Sequence, residues 1–160
     1  MDVFSRTFLP ATAEAGIPIH TVSRHMPIFR RCIEPDDAAV LVTRCLRPDR
    51  PLQGEHLLLL TQRRLVVTQE TRLLRRIRLH LNAGVPELSN VSWTPDPGLA
   101  AVEVAATASD GLRERFWIKL GDPRRVWHVD ALLGHVFLPR RAPYPRMPVH
   151  HRHTTPLSAA

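Results

Sequence analysis

The stretch that most constrains this chain is His56 to Gln69, HLLLLTQRRLVVTQ, in which two apolar runs flank the polar tetrapeptide Thr61-Gln62-Arg63-Arg64. Leu57 to Leu60 and Leu65 to Val67 are each too short for a helix that could bury itself, and the polar residues between them suit a tight connection. The stretch reads as the central β-hairpin of a small, mostly β domain. At 160 residues with 44% hydrophobic content, the chain has room for one packed core of roughly 100 residues and tails.

Around the hairpin the other elements fall into order. Glu34-Pro35-Asp36-Asp37 is a polar break, Ala38 to Leu46 reads as a first strand, and Arg47 to Gly54 as the loop before the hairpin. Leu73 to Leu81, LLRRIRLHL, is a strand by context, with Ile77, Leu79 and Leu81 on one face and Arg76, Arg78 and His80 on the other. Leu88 to Trp93 is a weaker strand ended by the turn cluster Thr94 to Gly98. Leu99 to Ala106 and Leu112 to Leu120 then form a hairpin across Ser109-Asp110-Gly111.

In the last of these strands an apolar face alternates with Arg113, Arg115, Trp117 and Lys119. Asp122-Pro123 opens a helix, because Asp122 can accept from free amides and Pro123 suits the first helical position. Val126, Val129, Leu133, Val136 and Phe137 share one face of that helix, with Trp127 beside them. Residues 1–34, broken by prolines 10, 18 and 27, read as a partly ordered extension in which His25 to Ile33 packs as a strap on the domain. Residues 139–160, with five prolines and no acid, read as a basic, disordered tail.

The net charge of +7 is almost all arginine, since Lys119 is the only lysine. Residues 138–160 hold four arginines and no acid, so much of that charge belongs to the tail. Such a balance permits an acidic partner without demanding one. No apolar run approaches the roughly 20 residues of a membrane span, and an N-terminus carrying Asp2 and Glu14 lacks the layout of a secretory signal. The expected address is cytoplasmic, with peripheral membrane contact as an option, and Cys32 and Cys45 are expected as reduced, partly buried thiols.

Seven strands, a polar turn between the second and third, and one C-terminal amphipathic helix resemble the bacterial pleckstrin-homology-like domains. The residues that carry the resemblance are Leu58 to Val67, LLLTQRRLVV, which looks like that family's apolar-Leu-Thr-x-x-Arg-Leu-apolar hairpin, and Asp122-Pro123 at the final helix. It covers about residues 35–138. It implies a strongly bent antiparallel barrel or sandwich of seven strands, plugged by the helix, that acts as a binding or scaffolding module without catalytic machinery. Lipid-binding relatives carry basic residues along the first strand, the following loop and the second strand. Arg44, Arg47 and Arg50 fit that pattern here, whereas Leu57 to Leu60 do not.

The candidate anion- or partner-contacting residues are Arg63, Arg64, Arg75, Arg76 and Arg78, read as one surface at the hairpin and the strand after it. Against this, arginines on a strand also form an ordinary solvated face over apolar neighbours. His150-His151-Arg152-His153 is the densest histidine cluster, but it has no nearby cysteine or carboxylate to complete a zinc set, so no metal and no cofactor is expected. Ser109 and His128 stand in no recognised catalytic motif, so an enzyme with an unrecognised site ranks low. With nine aromatics, of which Trp117 alone sits among basic strand residues, nucleic acid ranks below the other partners. The leading expectation is a protein-binding module of unknown ligand, followed by a binder of anionic membrane surfaces.

Overall fold

The leucine run of the hairpin is apolar at every position because its sheet is covered on both faces. In the computed structural model, which describes residues 1–138, seven strands form two antiparallel sheets. The first has the order β1 (Ala39–Cys45), β2 (His56–Thr61), β3 (Arg64–Glu70) and β4 (Ile77–Gly84). The second is β5 (Ser89–Asp96), β6 (Ala101–Thr107) and β7 (Arg113–Lys119). Three helices complete the chain: α1 (Val3–Glu14), α2 (Ile19–Cys32) and α3 (Pro123–Phe137). The sheets form a sandwich rather than a closed barrel, and paired backbone hydrogen bonds between Leu46 and Trp117, at 2.9 and 2.7 Å, join β1 to β7 at one corner. This is the mainly β, pleckstrin-homology-like sandwich with a C-terminal helix that the element order implied.

Alternate residues of the hairpin serve two cores. Leu58, Leu60, Leu65 and Val67 face the second sheet, where they meet Val102, Val104, Phe116 and Ile118 under Val126, Val129 and Leu133 of α3. Leu57, Leu59 and Val66 face the other way, against Phe4, Phe8, Ile17, Val22 and Phe29. A strand buried on one side would have shown polar residues at every second position. Asp122 caps α3 by accepting from the Arg124 amide at 2.9 Å, and Trp93 Nε1 on β5 donates to Asp130 at 2.8 Å to fix the helix over the sandwich.

Residues 1–34, expected as a partly ordered extension, form α1 and α2. Their prolines do not break the helices, because Pro10 and Pro27 sit inside α1 and α2 at exposed positions where water can satisfy the carbonyl that each leaves without a donor. Asp2 caps α1 through the Ser5 amide at 2.6 Å, and Arg30 of α2 donates to the Ser5 hydroxyl at 3.0 Å, which ties the two helices together. Phe8 packs at 5.1 Å from Phe4 and edge-on at 5.7 Å from Phe29, so the aromatic cluster supplies the area that covers the sheet.

The fourth strand also starts later than expected. Leu73 and Leu74 belong to a loop rather than to the strand, which begins at Ile77. The loop closes through the Thr71 amide to the Arg76 carbonyl at 2.9 Å and the Arg76 amide to the Thr71 hydroxyl at 3.1 Å, with Arg75 at φ 47 making the turn. β5 in turn runs on to Asp96, three residues past Trp93, through a stretch expected to turn. The expected tail and its histidine cluster lie outside the described residues.

Candidate functional site

The five arginines expected to form one surface fall into two groups at opposite ends of β3. Arg64 pairs with Gly84 at one end of the β3–β4 ladder and Glu70 with Ile77 at the other, so the groups are about 20 Å apart. At the turn end, Arg63 forms a two-pronged pair with Asp36 at 3.1 and 3.2 Å and reaches Glu34 at 3.3 Å. That contact holds the Asp36 carboxyl below its usual range. Arg64 Nε donates to Asn82 at 2.9 Å. Both residues are engaged within the fold.

Their turn has an internal reason to form. Neither Gln62 nor Arg63 has a positive φ, and the Thr61 hydroxyl instead accepts from the amides of Arg63 at 3.2 Å and Arg64 at 2.9 Å while donating to buried Asp37 at 2.6 Å. A threonine therefore clamps a connection that more often relies on glycine.

Of the other group, Arg75 lines a groove of about 780 Å³ at the far end of the first sheet. The β1–β2 loop walls one side with Pro51 and Gly54, the β3–β4 loop another with Arg72 and Arg75, and the end of β7 closes it with Trp117 and Lys119. Gln69 Nε2 donates to the Gln53 carbonyl at 2.9 Å, which ties the β1–β2 loop to the end of β3. Within the groove Arg44 is paired with Glu55 at 3.2 Å, and Glu70 receives Arg24 from α2. Arg72 and Arg75 have no acidic partner among the described residues, and Lys119 lies 4.8 Å over the Trp117 ring. The groove is thus cationic at its rim and partly apolar at its wall.

The same two loops carry the most exposed leucines near the groove. Leu73 is 97% exposed, Leu52 79% and Leu74 67%. Leu73 and Leu74 line a second depression of about 260 Å³ together with Arg72, Arg76 and Arg78. Arg75 thus lines the groove and Arg76 and Arg78 the depression beside it, while Arg63 and Arg64 line neither. The sequence reading missed Leu52, Leu73, Leu74, Arg72 and Lys119. The available signal was the unit Arg72-Leu73-Leu74-Arg75-Arg76, whose leucines suit a loop tip as well as a strand.

A polar cluster sits just inside this end of the sandwich. His56 is fully buried and packs edge-to-face on His80 at 5.5 Å, while His80 Nε2 lies 3.2 Å from Glu114. Among the described residues no group of three or more His, Cys, Asp or Glu side chains is placed to hold a metal ion, and no helix is long and apolar enough to cross a membrane. Cys32 and Cys45 are free, and burial pushes both thiols up.

No family model matches the chain, and no curated protein matches it. Among solved structures, the chain is similar to one described as Vav1 inhibited by an allosteric inhibitor, at 9% identity and a TM-score of 0.44. The match covers 82% of this chain and 36% of that one, so this chain spans about a third of the other's length.

Proposed function

We propose that this chain is a non-catalytic binding module that docks a protein partner against the groove between the β1–β2 and β3–β4 loops. The observation that carries this reading is that the two loops beside the groove expose Leu52, Leu73 and Leu74 and carry Arg72, Arg75, Arg76 and Arg78, which have no acidic partner among the described residues. Apolar residues ringed by cations suit a partner that offers an apolar anchor with acidic neighbours. Quantitative affinity capture with the wild-type chain and with L73D/L74D as baits tests it. A partner retained by the wild type should fall at least ten-fold on the variant, and indistinguishable capture profiles would count against the reading.

A second reading, an anionic membrane surface, is favoured by Arg72, Arg75, Arg76 and Arg78 standing beside Leu73 and Leu74. Each basic residue at such a surface contributes on the order of 1 kcal/mol, and leucines at the loop tips would add apolar insertion. Co-sedimentation with phosphatidylserine-containing vesicles at low and physiological salt distinguishes the two. Binding that needs the anionic lipid and weakens with salt supports the membrane, and no binding at either salt leaves the protein partner as the reading.

A further inference from the structure

His56 is fully buried, and neither of its ring nitrogens makes a hydrogen bond of ordinary geometry, although the Gly54 backbone lies close enough to act on the ring. A neutral imidazole carries one donor and one acceptor, so burying both unsatisfied costs stability that a leucine of similar bulk would not lose. Each element packed on the ring supplies a group. β4 contributes His80, β7 contributes Glu114, the β1–β2 loop contributes Arg47 and the Gly54 backbone, and Cys45 and Gln69 lie opposite on β1 and β3. Glu114 is shared, with Oε2 3.2 Å from His80 Nε2 and 3.7 Å from Arg47 Nη2. Arg47 in turn reaches Asp49 at 3.6 Å and Gln53 at 3.5 Å within its own loop.

We propose that Arg47, Glu114, His80 and His56 form a proton-sensitive latch that holds the β1–β2 loop, residues 47–55, on the sandwich at neutral pH and releases it in mild acid. The Glu114 carboxylate reaches Arg47 and so anchors the loop. A proton on His56 sets a buried positive charge beside Arg47. Lifting the loop admits water to the ring and relieves that repulsion. Burial drives His56 down to about 4, with His80 and Arg47 adding to the effect and the Gly54 backbone and Glu114 opposing it.

A histidine whose closed-state value lies below 6.5 favours the closed form fully above that pH and loses the advantage as pH falls toward 4. For His56 alone, the ratio of lifted to closed loop rises about twenty-fold between pH 7 and pH 5. Pro51 and Gly54 wall the groove and the exposed Leu52 lies between them on the same loop, so the latch governs the proposed docking end whichever partner binds there.

Amide hydrogen exchange of the full chain by nuclear magnetic resonance, corrected for the intrinsic effect of pH, tests the latch. Protection of residues 47–55 should fall about ten-fold or more from pH 7 to pH 5 while β2 and β3 stay protected, and E114Q should loosen the same amides already at pH 7. H56L should make loop protection independent of pH; should that variant not fold, the wild-type and E114Q arms decide. Loop protection unchanged down to pH 5, loss of protection across all strands at one pH, or an E114Q loop as protected as the wild type would each overturn the latch.

Discussion

Arg24 of α2 donates to Glu70 at the end of β3, and its other guanidinium nitrogen donates to the backbone carbonyl of Arg75. One side chain from the N-terminal helices thereby positions the loop that carries Leu73 and Leu74, and Ala15 at the end of α1 contributes to the groove wall. The helical pair that covers the outer face of the first sheet is also a support of the groove.

Replacing Arg24 with alanine should therefore act locally. The ion pair is partly exposed, so the loss of global stability is expected to stay under about 1 kcal/mol. Amide exchange between Thr71 and Arg76 should nevertheless accelerate, and a loop as protected in R24A as in the wild type would remove Arg24 from this role.

Leu58 and Leu59 are adjacent, both buried, and belong to different cores. Each alanine substitution is expected to cost about 2–5 kcal/mol in denaturant unfolding. Only L59A should also loosen α1 and α2, seen as faster exchange in residues 3–32 than in β6 and β7. A chain lacking residues 1–34 would expose Leu57, Leu59 and Val66 together and is expected to aggregate during purification.

His25 lies buried under α2, 2% exposed, with Nδ1 2.7 Å from the Thr68 hydroxyl on β3. Burial holds it down at about 4, with Glu70 opposing and Arg24 adding. The folded value lies below 6.5, so the stability from this site is complete above that pH and is lost as pH falls to 4, by up to about 3 kcal/mol. Urea midpoints should fall between pH 7 and pH 4.5, and H25L should flatten that dependence. T68V, which strands the imidazole, is expected to cost about 1–3 kcal/mol at pH 7.

Thr61 joins three parts of the chain through one hydroxyl: the Asp37 carboxylate and the amides of Arg63 and Arg64. T61V keeps the shape and removes the clamp, so a loss of about 1–3 kcal/mol is expected, while T61S should retain most of the stability. Equal urea midpoints for T61V and the wild type would show that the hydrophobic strands set this turn without help from the threonine.

The hairpin was legible because its pattern is local: two short apolar runs around a polar turn, followed by period-two alternation in β7 and a capped, one-faced helix. The candidate site was only half legible. Arg75 lines the groove and Arg76 and Arg78 the depression beside it, whereas Arg63 and Arg64 stand at the other end of β3, because a strand carries the chain about 20 Å between its two ends. His56 and His80 gave no signal at all, since what brings them together is the passage of β2 and β4 on either side of β3.

Local pattern alone determined the strand count, the β character and the closing helix, because periodicity and capping act over a few residues. Which face each leucine of Leu57 to Leu60 serves was decided by the tertiary structure, as was the covering of the outer face by residues that prolines had marked as irregular. The reason is burial. A helix of modest propensity becomes stable once Phe4, Phe8 and Phe29 leave water against a sheet face, and neither that face nor its exposure exists until the strands have paired.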